Sequence, residues 1–334
     1  MCIRDRVTGG TGLVGCHLLY QLVLENKKVN ALHRINSKIE VVKKVFSFYS
    51  KDYKSLFNKI NWIQGDINDL SSLNHALKNI TEIYHCAAFI SFNKKDLDTM
   101  RKINIEGTAN LVNCSIEKKI NKFCYVSTIA AVGERNNSFI DEECDWKENK
   151  NPYSETKHYA EMEVWRGIAE GLNAVIVNPG VIVGSGFWKR GSGAFITQVS
   201  RGMSYYPIGK TGFICVKDVV QIMIDLMKKN IFSERFILVA ENWKQKDFIY
   251  SICKNFNLEP PKKQASKSVM YLGLFVDLFR SKLLNKRRRL SRAIIKSGNS
   301  INKYSNQKII KALNFKFSKV EDSIKETCKN FDLS

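Results

Sequence analysis

The stretch "VTGGTGLVG", residues 7–15, carries four glycines in nine positions and stands where a strand is expected to lead into a helix. Gly9, Gly12 and Gly15 would leave backbone N–H groups uncovered there, so that these amides and the helix dipole can receive a phosphate group. Gly10, Gly12 and Gly15 also satisfy the spacing G-x-G-x-x-G, so spacing alone does not choose between two related motifs. Either motif indicates a site for the pyrophosphate of a dinucleotide.

The rest of the chain agrees with this interpretation, because apolar runs typical of buried strands alternate with helical patterns. Strands are predicted at residues 29–32, 60–64, 82–87, 122–127, 173–179 and 235–240, and helices at residues 13–25, 39–49, 70–77, 97–117, 154–170 and 216–228. Such alternation is typical of a parallel sheet with helices on both faces. The predicted fold class is α/β, a Rossmann doubly wound parallel sheet with a smaller, mainly helical C-terminal substrate domain.

We place the domain boundary where this alternation weakens. Residues 1–178, joined by 214–240 as a late return to the sheet, form the predicted NADP-binding domain. Residues 179–213 and 241–334 form the predicted substrate-binding domain, which begins with glycine-rich loops, "GVIVGSGFWKRGSG", after Pro179.

An apolar helix is predicted from Ser268 to Leu284, and the basic stretch "RSKLLNKRRRLSR", Arg280 to Arg292, overlaps its end. A helix of this kind can cover a substrate site or lie on a membrane surface. We expect a lid or a substrate-domain helix, with the membrane surface as the alternative.

The first six residues, "MCIRDR", fit the predicted first strand poorly. A central parallel strand is buried on both faces, and Arg4, Asp5 and Arg6 would bury three charges in a row. Our hypothesis is that these residues are a non-native start, from truncation or a joining artefact, that replaces an apolar strand. An intact reading frame with this start at the encoding locus, together with a folded product, would contradict it.

Composition limits the classes of protein to which the chain can belong. Its 334 residues are 44% hydrophobic, and no apolar run approaches the roughly 18 to 20 residues of a membrane span, so we expect a cytoplasmic protein without a signal peptide. Nine cysteines without a C-x-x-C pair indicate reduced thiols, with no metal site. The net charge of +21 suits an anionic partner. However, no nucleic-acid-binding motif is present, so we expect no nucleic acid partner.

The end of the second predicted strand indicates which dinucleotide binds. An acidic residue there hydrogen-bonds the adenosine ribose of NAD, whereas a basic residue accommodates the 2′-phosphate of NADP. The strand runs "VNALHR", with His33 where an acid is expected, Arg34 beside it and Lys38 nearby. We therefore predict NADP as the cofactor, with NAD as the alternative. Asp66, after the third strand, is placed to accept a hydrogen bond from the adenine amino group.

Tyr153 and Lys157, in "PYSETKHYAE", lie four residues apart on a predicted helix and so share one face. Three other tyrosines precede a lysine by four residues, but only Tyr153 follows a strand that ends in hydroxyls, "YVST", at the edge where such sheets bind ligands. A phenol of pKa about 10 needs a nearby ammonium to act as an acid or base at neutral pH, and Lys157 can supply it. Thr128 or Ser127 can donate a hydrogen bond to a substrate oxygen.

The motifs follow the order seen in one large enzyme group. Together "TGGTGLVG", "GDI", "HCAA", "NIEGT", "YVST", "YSETK" and "NPGVIVG" resemble the extended short-chain dehydrogenase/reductase superfamily, in its NAD-dependent epimerase/dehydratase family, over nearly the whole chain. Arg34, "GFICVKDVV" and "KYSNQKIIKALNFKFS" are most similar to its dihydroflavonol-reductase-like and 3β-hydroxysteroid-dehydrogenase-like branches. Two departures are "MCIRDR" in the first strand and threonine at the catalytic position usually held by serine.

The resemblance implies a role for each motif residue. Tyr153 is the acid–base group, Lys157 its partner, Thr128 the catalytic hydroxyl and Asn104 a sheet-bracing amide. The implied cofactor contacts are Gly9, Thr11, Gly12, Leu13, Val14 and Gly15 in the phosphate loop, Arg34, Asp66, Ile67, Ala87, Ala88 and Ser127 after the strands, and Tyr153, Lys157, Pro179 and Val181.

The hypothesis that we favour is an NADP(H)-dependent oxidoreductase that interconverts a carbonyl and an alcohol on a small, fairly apolar substrate. Its pocket would come from the loop "GFWKRGSG", Phe195, Tyr205, Tyr206 and the helix that starts at Ser268.

The alternative is an NAD-dependent nucleotide-sugar epimerase, in which Lys189 and Arg190 can bind a diphosphate; His33 and Arg34 speak against it. A dehydratase is disfavoured, because such relatives carry an Asp-Glu pair directly after the catalytic hydroxyl. A non-catalytic scaffold is disfavoured because such relatives typically lose the tyrosine that this chain keeps. A homodimer through helices 97–117 and 154–170 is compatible with the sequence, and so is a monomer.

Overall fold

A computed structural model describes residues 4–135, 138–147, 151–283 and 292–331. The strands are β1 (Arg4–Thr8), β2 (Lys28–His33), β3 (Asn61–Gln64), β4 (Glu82–His85), β5 (Lys122–Val126), β6 (Ala174–Pro179), β7 (Val181–Val183), β8 (Tyr205–Tyr206), β9 (Lys210–Cys215), β10 (Glu234–Leu238), β11 (Glu241–Lys244) and β12 (Lys263–Gln264). The helices are α1 (Leu13–Leu24), α2 (Glu40–Ser47), α3 (Tyr53–Asn58), α4 (Leu70–Ala76), α5 (Leu97–Met100), α6 (Gly107–Glu117), α7 (Pro152–Ala169), α8 (Gly191–Ser200), α9 (Val216–Lys228), α10 (Gln245–Asn255), α11 (Lys267–Leu283), α12 (Arg292–Asn299), α13 (Gln307–Leu313) and α14 (Val320–Lys329).

Seven strands form one sheet in the order β10-β6-β5-β4-β1-β2-β3, and every neighbouring pair is parallel. The chain moves outward from β1 to β3 and then returns to β4 on the other side of β1. This reversal opens a crevice at the carboxyl ends of β1 and β4, where doubly wound sheets bind ligands. The predicted α/β fold class is confirmed.

Both faces of the sheet are buried, as the apolar strand sequences predict. Strand β5 illustrates this, because Phe123 and Tyr125 pack into the core under α4, α6 and α7, whereas Cys124 packs into the opposite core under α1 and α9. The alternation follows from the two-residue period of a strand. The carboxyl ends of the strands are therefore held rigidly between two helical layers.

Strand β1 buries charge in the middle of the sheet. Asp5 and Arg6 are 0% and 1% exposed. The Arg6 guanidinium donates to the Ala76 carbonyl, while its Nε and Nη1 atoms have no hydrogen-bond partner among the described residues. Asp5 is in register with Glu82 of β4, and burial, with the Glu82 carboxylate, raises the pKa of Asp5 to about 7. The poor fit of this segment to a central strand is thus visible in the fold, while the hypothesis about its origin stays a prediction.

The region after Pro179 is more ordered than the predicted glycine-rich loops. Strands β7, β9 and β11 form a second, three-stranded sheet, and α8 begins at Gly191, inside the predicted loop. Helices α10 and α14 cover this sheet with a separate apolar core. The prediction of loops was wrong here because three- to six-residue strands carry too little periodicity to be recognised before their partners are known.

The long helix predicted at residues 97–117 is interrupted. Helices α5 and α6 are joined by a π-helical segment, Arg101–Glu106, and such segments often occur at functional sites. None of the described helices has the length and hydropathy that a bilayer crossing requires.

Candidate active site

The phosphate loop, residues 9–15, joins β1 to α1. Gly12 is the N-cap of α1, with an extended backbone, and its N–H donates to the Gly9 carbonyl at 2.9 Å. Within the described part of the chain no side chain caps this helix, and its first turn contains no acidic residue. The first-turn N–H groups are therefore open to an anion, and the helix dipole favours negative charge there.

At two positions of this loop, neighbouring backbone atoms lie so close that only glycine fits. Gly9 has a φ of +68°, and a Cβ atom on it would lie 2.6 Å from the Ala87 backbone nitrogen. A Cβ atom on Gly15 would lie 2.2 Å from the Gly9 carbonyl oxygen. A side chain at either position would push the loop away from the strand ends. The loop thus fits a dinucleotide, whose pyrophosphate approaches bare backbone at this position of the fold.

The predicted adenosine-side residues lie past the ends of β2 and β3. Arg34 is exposed, and its guanidinium makes no ion pair or hydrogen bond with the described residues. Its backbone is held in a turn, because the Arg34 N–H donates to Ser37 Oγ at 3.0 Å and its carbonyl accepts from the Ser37 N–H. Asp66 Oδ1 accepts hydrogen bonds from the backbone and side chain of Asn68, at 2.9 and 3.3 Å. The Arg34 guanidinium is therefore available to a ligand, whereas the Asp66 carboxylate also stabilises the turn that contains Asn68.

The structure brings Thr128 and Tyr153 together. Tyr153 lies in the first turn of α7, which Asn151 caps by accepting a hydrogen bond from the Tyr153 N–H at 3.1 Å. The Thr128 side chain, just past β5, lies close enough to the Tyr153 phenol to act on its pKa. Burial raises the pKa of Tyr153 to about 12, and the Thr128 side chain opposes this in part. The phenol is therefore protonated at neutral pH and can donate.

Lys157 takes a different partner from the expected one. Lys157 is 1% exposed, and its ammonium donates to the Tyr125 hydroxyl at 2.6 Å and to the Val126 carbonyl at 2.9 Å. It also lies 4.2 Å from the centre of the Tyr125 ring. Among the described residues, none of its hydrogen bonds goes to Tyr153. Burial lowers the pKa of Lys157 to about 7, and the Glu161 carboxylate acts in the opposite direction.

Tyr125 belongs to a cluster of buried polar side chains that connects the ends of three strands. The His85 Nδ1 atom lies 2.7 Å from Thr8 Oγ1, and its Nε2 atom lies 3.0 Å from Thr108 Oγ1. The Thr8 hydroxyl also accepts a hydrogen bond from the Ala87 N–H at 3.3 Å. The His85 ring packs 5.4 Å from the Tyr125 ring, and burial lowers the pKa of His85 to about 3. A neutral imidazole thus fixes the carboxyl ends of β1 and β4 against the phosphate loop.

Glu161 is the main functional residue that sequence reasoning missed. It is fully buried and lies one helical turn after Lys157. Its carboxylate accepts from Ser127 Oγ at 2.6 Å and Asn178 Nδ2 at 2.8 Å, and Arg235 Nη1 lies 3.3 Å away. The signal was present, because Glu161 continues the four-residue spacing of Tyr153 and Lys157. The predicted cofactor residue Ser127 is therefore held by a carboxylate behind the site.

Asn104, the amide implied by resemblance, lies in the π-helical segment and is 1% exposed. Its Oδ1 accepts from the Phe89 N–H at 2.7 Å, and its Nδ2 donates to the Phe89 carbonyl at 3.0 Å and to Thr156 Oγ1 at 3.1 Å. It thereby joins the chain after β4 to α7, next to the predicted acid–base residue.

The predicted pocket residues are only partly available. The Phe195 ring packs 5.9 Å from Phe248, and the Tyr206 ring packs 6.2 Å from Tyr250. Both belong to the core that covers the second sheet, whereas Tyr205 is exposed. Phe195 and Tyr206 therefore serve mainly to pack the core that covers the second sheet.

A cleft of about 210 Å³ lies elsewhere, on the face covered by α1 and α9. Its lining residues, none of which is a predicted site residue, are His17, Tyr20, Gln21, Tyr49, Lys217, Asp218, Val220, Gln221 and Phe315. The predicted site residues therefore lie outside this cleft.

Comparison with known proteins agrees with the motifs. The family model for the NAD dependent epimerase/dehydratase family matches residues 6–240. A Synechocystis sp. protein named "Putative dihydroflavonol 4-reductase" is 30% identical over 181 residues, which cover 53% of this chain and 49% of that protein. The chain thus matches about half the length of that relative.

The UDP-glucose 4-epimerase of Vibrio cholerae is 26% identical over 266 residues, 72% of this chain and 74% of the epimerase. The crystal structure of gox2253 superposes with a TM-score of 0.80 at 26% identity, covering 98% of this chain and 97% of the other.

Proposed function

The chain belongs to the NAD-dependent epimerase/dehydratase family of the extended short-chain dehydrogenase/reductase superfamily, and from this we propose that it is an NADP(H)-dependent oxidoreductase. Members of this family are NAD(P)-dependent oxidoreductases, epimerases and dehydratases. Within that range, we propose interconversion of a carbonyl and an alcohol on a small, fairly apolar substrate. The proximity of the Thr128 side chain to the Tyr153 phenol, at the carboxyl edge of the sheet, carries this proposal.

The phosphate loop would hold the cofactor pyrophosphate with its first-turn amides, and Arg34 would pair with the 2′-phosphate. A guanidinium without a partner among the described residues favours NADP over NAD, because it offers several charge-assisted donors to a phosphate. The nicotinamide ring, when bound, supplies or accepts the hydride.

The protonation states of Tyr153 and Lys157 favour reduction of the substrate carbonyl. Burial holds the pKa of Tyr153 at about 12, so the phenol can give its proton to the substrate oxygen as the carbonyl becomes an alcohol. The Thr128 hydroxyl can hydrogen-bond the same oxygen as its negative charge develops. Lys157, with a pKa of about 7, exchanges protons readily near neutral pH and can return one toward the phenol.

The second candidate is a nucleotide-sugar epimerase, and the long match to the Vibrio cholerae UDP-glucose 4-epimerase favours it. Lys189 and Arg190, exposed at the start of α8, would then pair with the diphosphate. The absence of an acid at His33 and Arg34 argues against a tightly held NAD.

We also propose the domain division on which these roles depend. Residues 1–178 with 214–240 would bind the cofactor, and residues 179–213 with 241–334 would bind the substrate. The parallel pairing of β10 with β6 supports the return of 214–240 to the sheet. A homodimer through residues 97–117 and 154–170 stays a proposal.

The test is Tyr153→Phe, assayed with NADPH and NADH on a panel of ketones and on UDP-sugars. We expect unchanged cofactor binding by calorimetry and a loss of turnover of about a hundredfold or more, the usual contribution of a positioned acid. Tyr159→Phe, on the exposed side of the same helix, is the matched control and should keep full activity. Turnover of Tyr153→Phe within a few-fold of the parent would refute the role, and retained NAD with epimerisation of a UDP-sugar would favour the second candidate.

A further inference from the structure

Helix α11 (Lys267–Leu283) presents its large apolar side chains to solvent. We call the exposed set the apolar face, and each member is between 47% and 81% exposed. The members are Tyr271, Leu272, Phe275, Val276, Phe279 and Leu283. Each member has another three or four residues along the chain, so together they form one continuous stripe along the helix.

The opposite side of α11 carries the acidic group. Asp277 is 7% exposed, and its Oδ1 lies 2.6 Å from Arg280 Nη2. A surface helix of a globular protein normally shows the reverse, with acids outside and apolar residues inside. Single exposed apolar residues are common, but a stripe of six on one helix indicates a surface that a binding partner or a membrane covers.

The charge around this helix is strongly positive. The basic stretch Arg280–Arg292 carries seven Lys and Arg residues and no acidic residue; its residues 284–291 lie outside the described part, so its charge is a property of the sequence. Lys263 before the helix, and Arg292 and Lys296 after it, are exposed. A partner with an anionic surface over an apolar interior matches this combination.

Charge also distinguishes among the partners that could bind the apolar face. A second copy of this chain would bring the same cations together, with a net charge of +21 on each copy, and like charges opposed across an interface are unfavourable. A nucleic acid would satisfy the cations but leave the aromatic and aliphatic stripe uncovered.

We propose that α11 docks on an anionic phospholipid bilayer and lies in the plane of its surface. The 17 residues of the helix span about 25 Å. The apolar face would enter the boundary between headgroups and acyl chains, about 5–10 Å deep, while the flanking cations contact lipid phosphates. This inference does not depend on the proposed catalytic activity.

The experiment is flotation of the full chain with vesicles of equal parts phosphatidylglycerol and phosphatidylcholine, compared with pure phosphatidylcholine. We expect binding to the anionic vesicles that weakens between about 0.1 M and 1 M salt, as the Debye length falls from about 10 Å to about 3 Å. The double variant Phe275→Glu/Phe279→Glu should lower the partition coefficient by about a hundredfold, roughly a factor of ten for each phenylalanine. Phe139→Glu, which changes an exposed phenylalanine far along the chain, is the matched control and should bind like the parent.

Circular dichroism and thermal unfolding of each variant check that the fold is kept, which these exposed positions should allow. Failure of the parent chain to float with anionic vesicles would overturn the proposal. So would equal binding by the double variant, or a dimer of the parent that Phe275→Glu/Phe279→Glu dissociates without any lipid binding.

Discussion

The buried carboxyl of Asp5 should make the stability of this protein depend on pH in a specific window. Burial and the neighbouring Glu82 raise its pKa from the ordinary value of 3.8 to about 7. Between these two pH values the folded state binds a proton that the unfolded state has lost, so the free energy of unfolding falls as the pH rises. A difference of about three pH units corresponds to about 4 kcal/mol, which is a large part of the stability of an ordinary domain.

Asp5→Asn keeps the shape of the side chain and removes its titration. We expect the free energy of unfolding of Asp5→Asn, minus that of the parent, to increase by about 4 kcal/mol between about pH 4 and pH 8. Urea unfolding followed by circular dichroism at a series of pH values measures this, with the m-value compared between the two proteins.

Asp52→Asn, at an exposed position, is the control and should change the free energy of unfolding by less than about 0.5 kcal/mol at every pH. The reasoning fails if the difference between Asp5→Asn and the parent is constant across the window. It also fails if the difference decreases with pH, because that would mean that Asp5 is stabilised as the carboxylate.

Three further substitutions test the site. Arg34→Ala should weaken NADP binding at least about tenfold more than NAD binding in calorimetric titrations, because a lost charge-assisted phosphate contact costs about 1.5–3 kcal/mol; equal losses would contradict the 2′-phosphate assignment. Glu161→Gln removes the anion that raises the pKa of Lys157. The alkaline limb of the kcat–pH profile should move to lower pH by about one pH unit or more, since a nearby opposite charge typically shifts a pKa by about 1–3 units. Tyr125→Phe leaves a buried ammonium without one acceptor, so urea unfolding should show a loss of about 1–3 kcal/mol, and an unchanged midpoint would mean that Lys157 finds another partner.

Much of the fold and part of the site could be predicted from local patterns. Alternating helix and strand patterns predicted a parallel sheet with helices on both faces, because each pattern reports how an element is buried. The glycines of the phosphate loop and the position of Tyr153 after "YVST" needed only the order of elements along the chain. Domain boundaries and cofactor contacts deduced in the same way stay predictions.

What lay beyond local patterns involves groups far apart in sequence. The short strands β7, β9 and β11 are recognisable only once they pair, and the contact between Lys157 and Tyr125 joins residues 32 positions apart. The bond from Ser127 to Glu161 spans 34 positions. A buried polar group binds whichever partner the packing brings within about 3 Å, and periodicity does not encode that distance.

The amino-acid sequence by itself determined the family, through the order of its motifs. It also determined the parallel sheet and the uncovered amides at the start of α1, because these depend on backbone geometry and on the burial of each element. Only the tertiary structure decided that the Lys157 ammonium contacts Tyr125, that Glu161 lies behind Ser127, and that α11 turns its apolar face outward. Those arrangements depend on which surfaces meet when the elements pack, and a linear pattern of residue types does not contain that information.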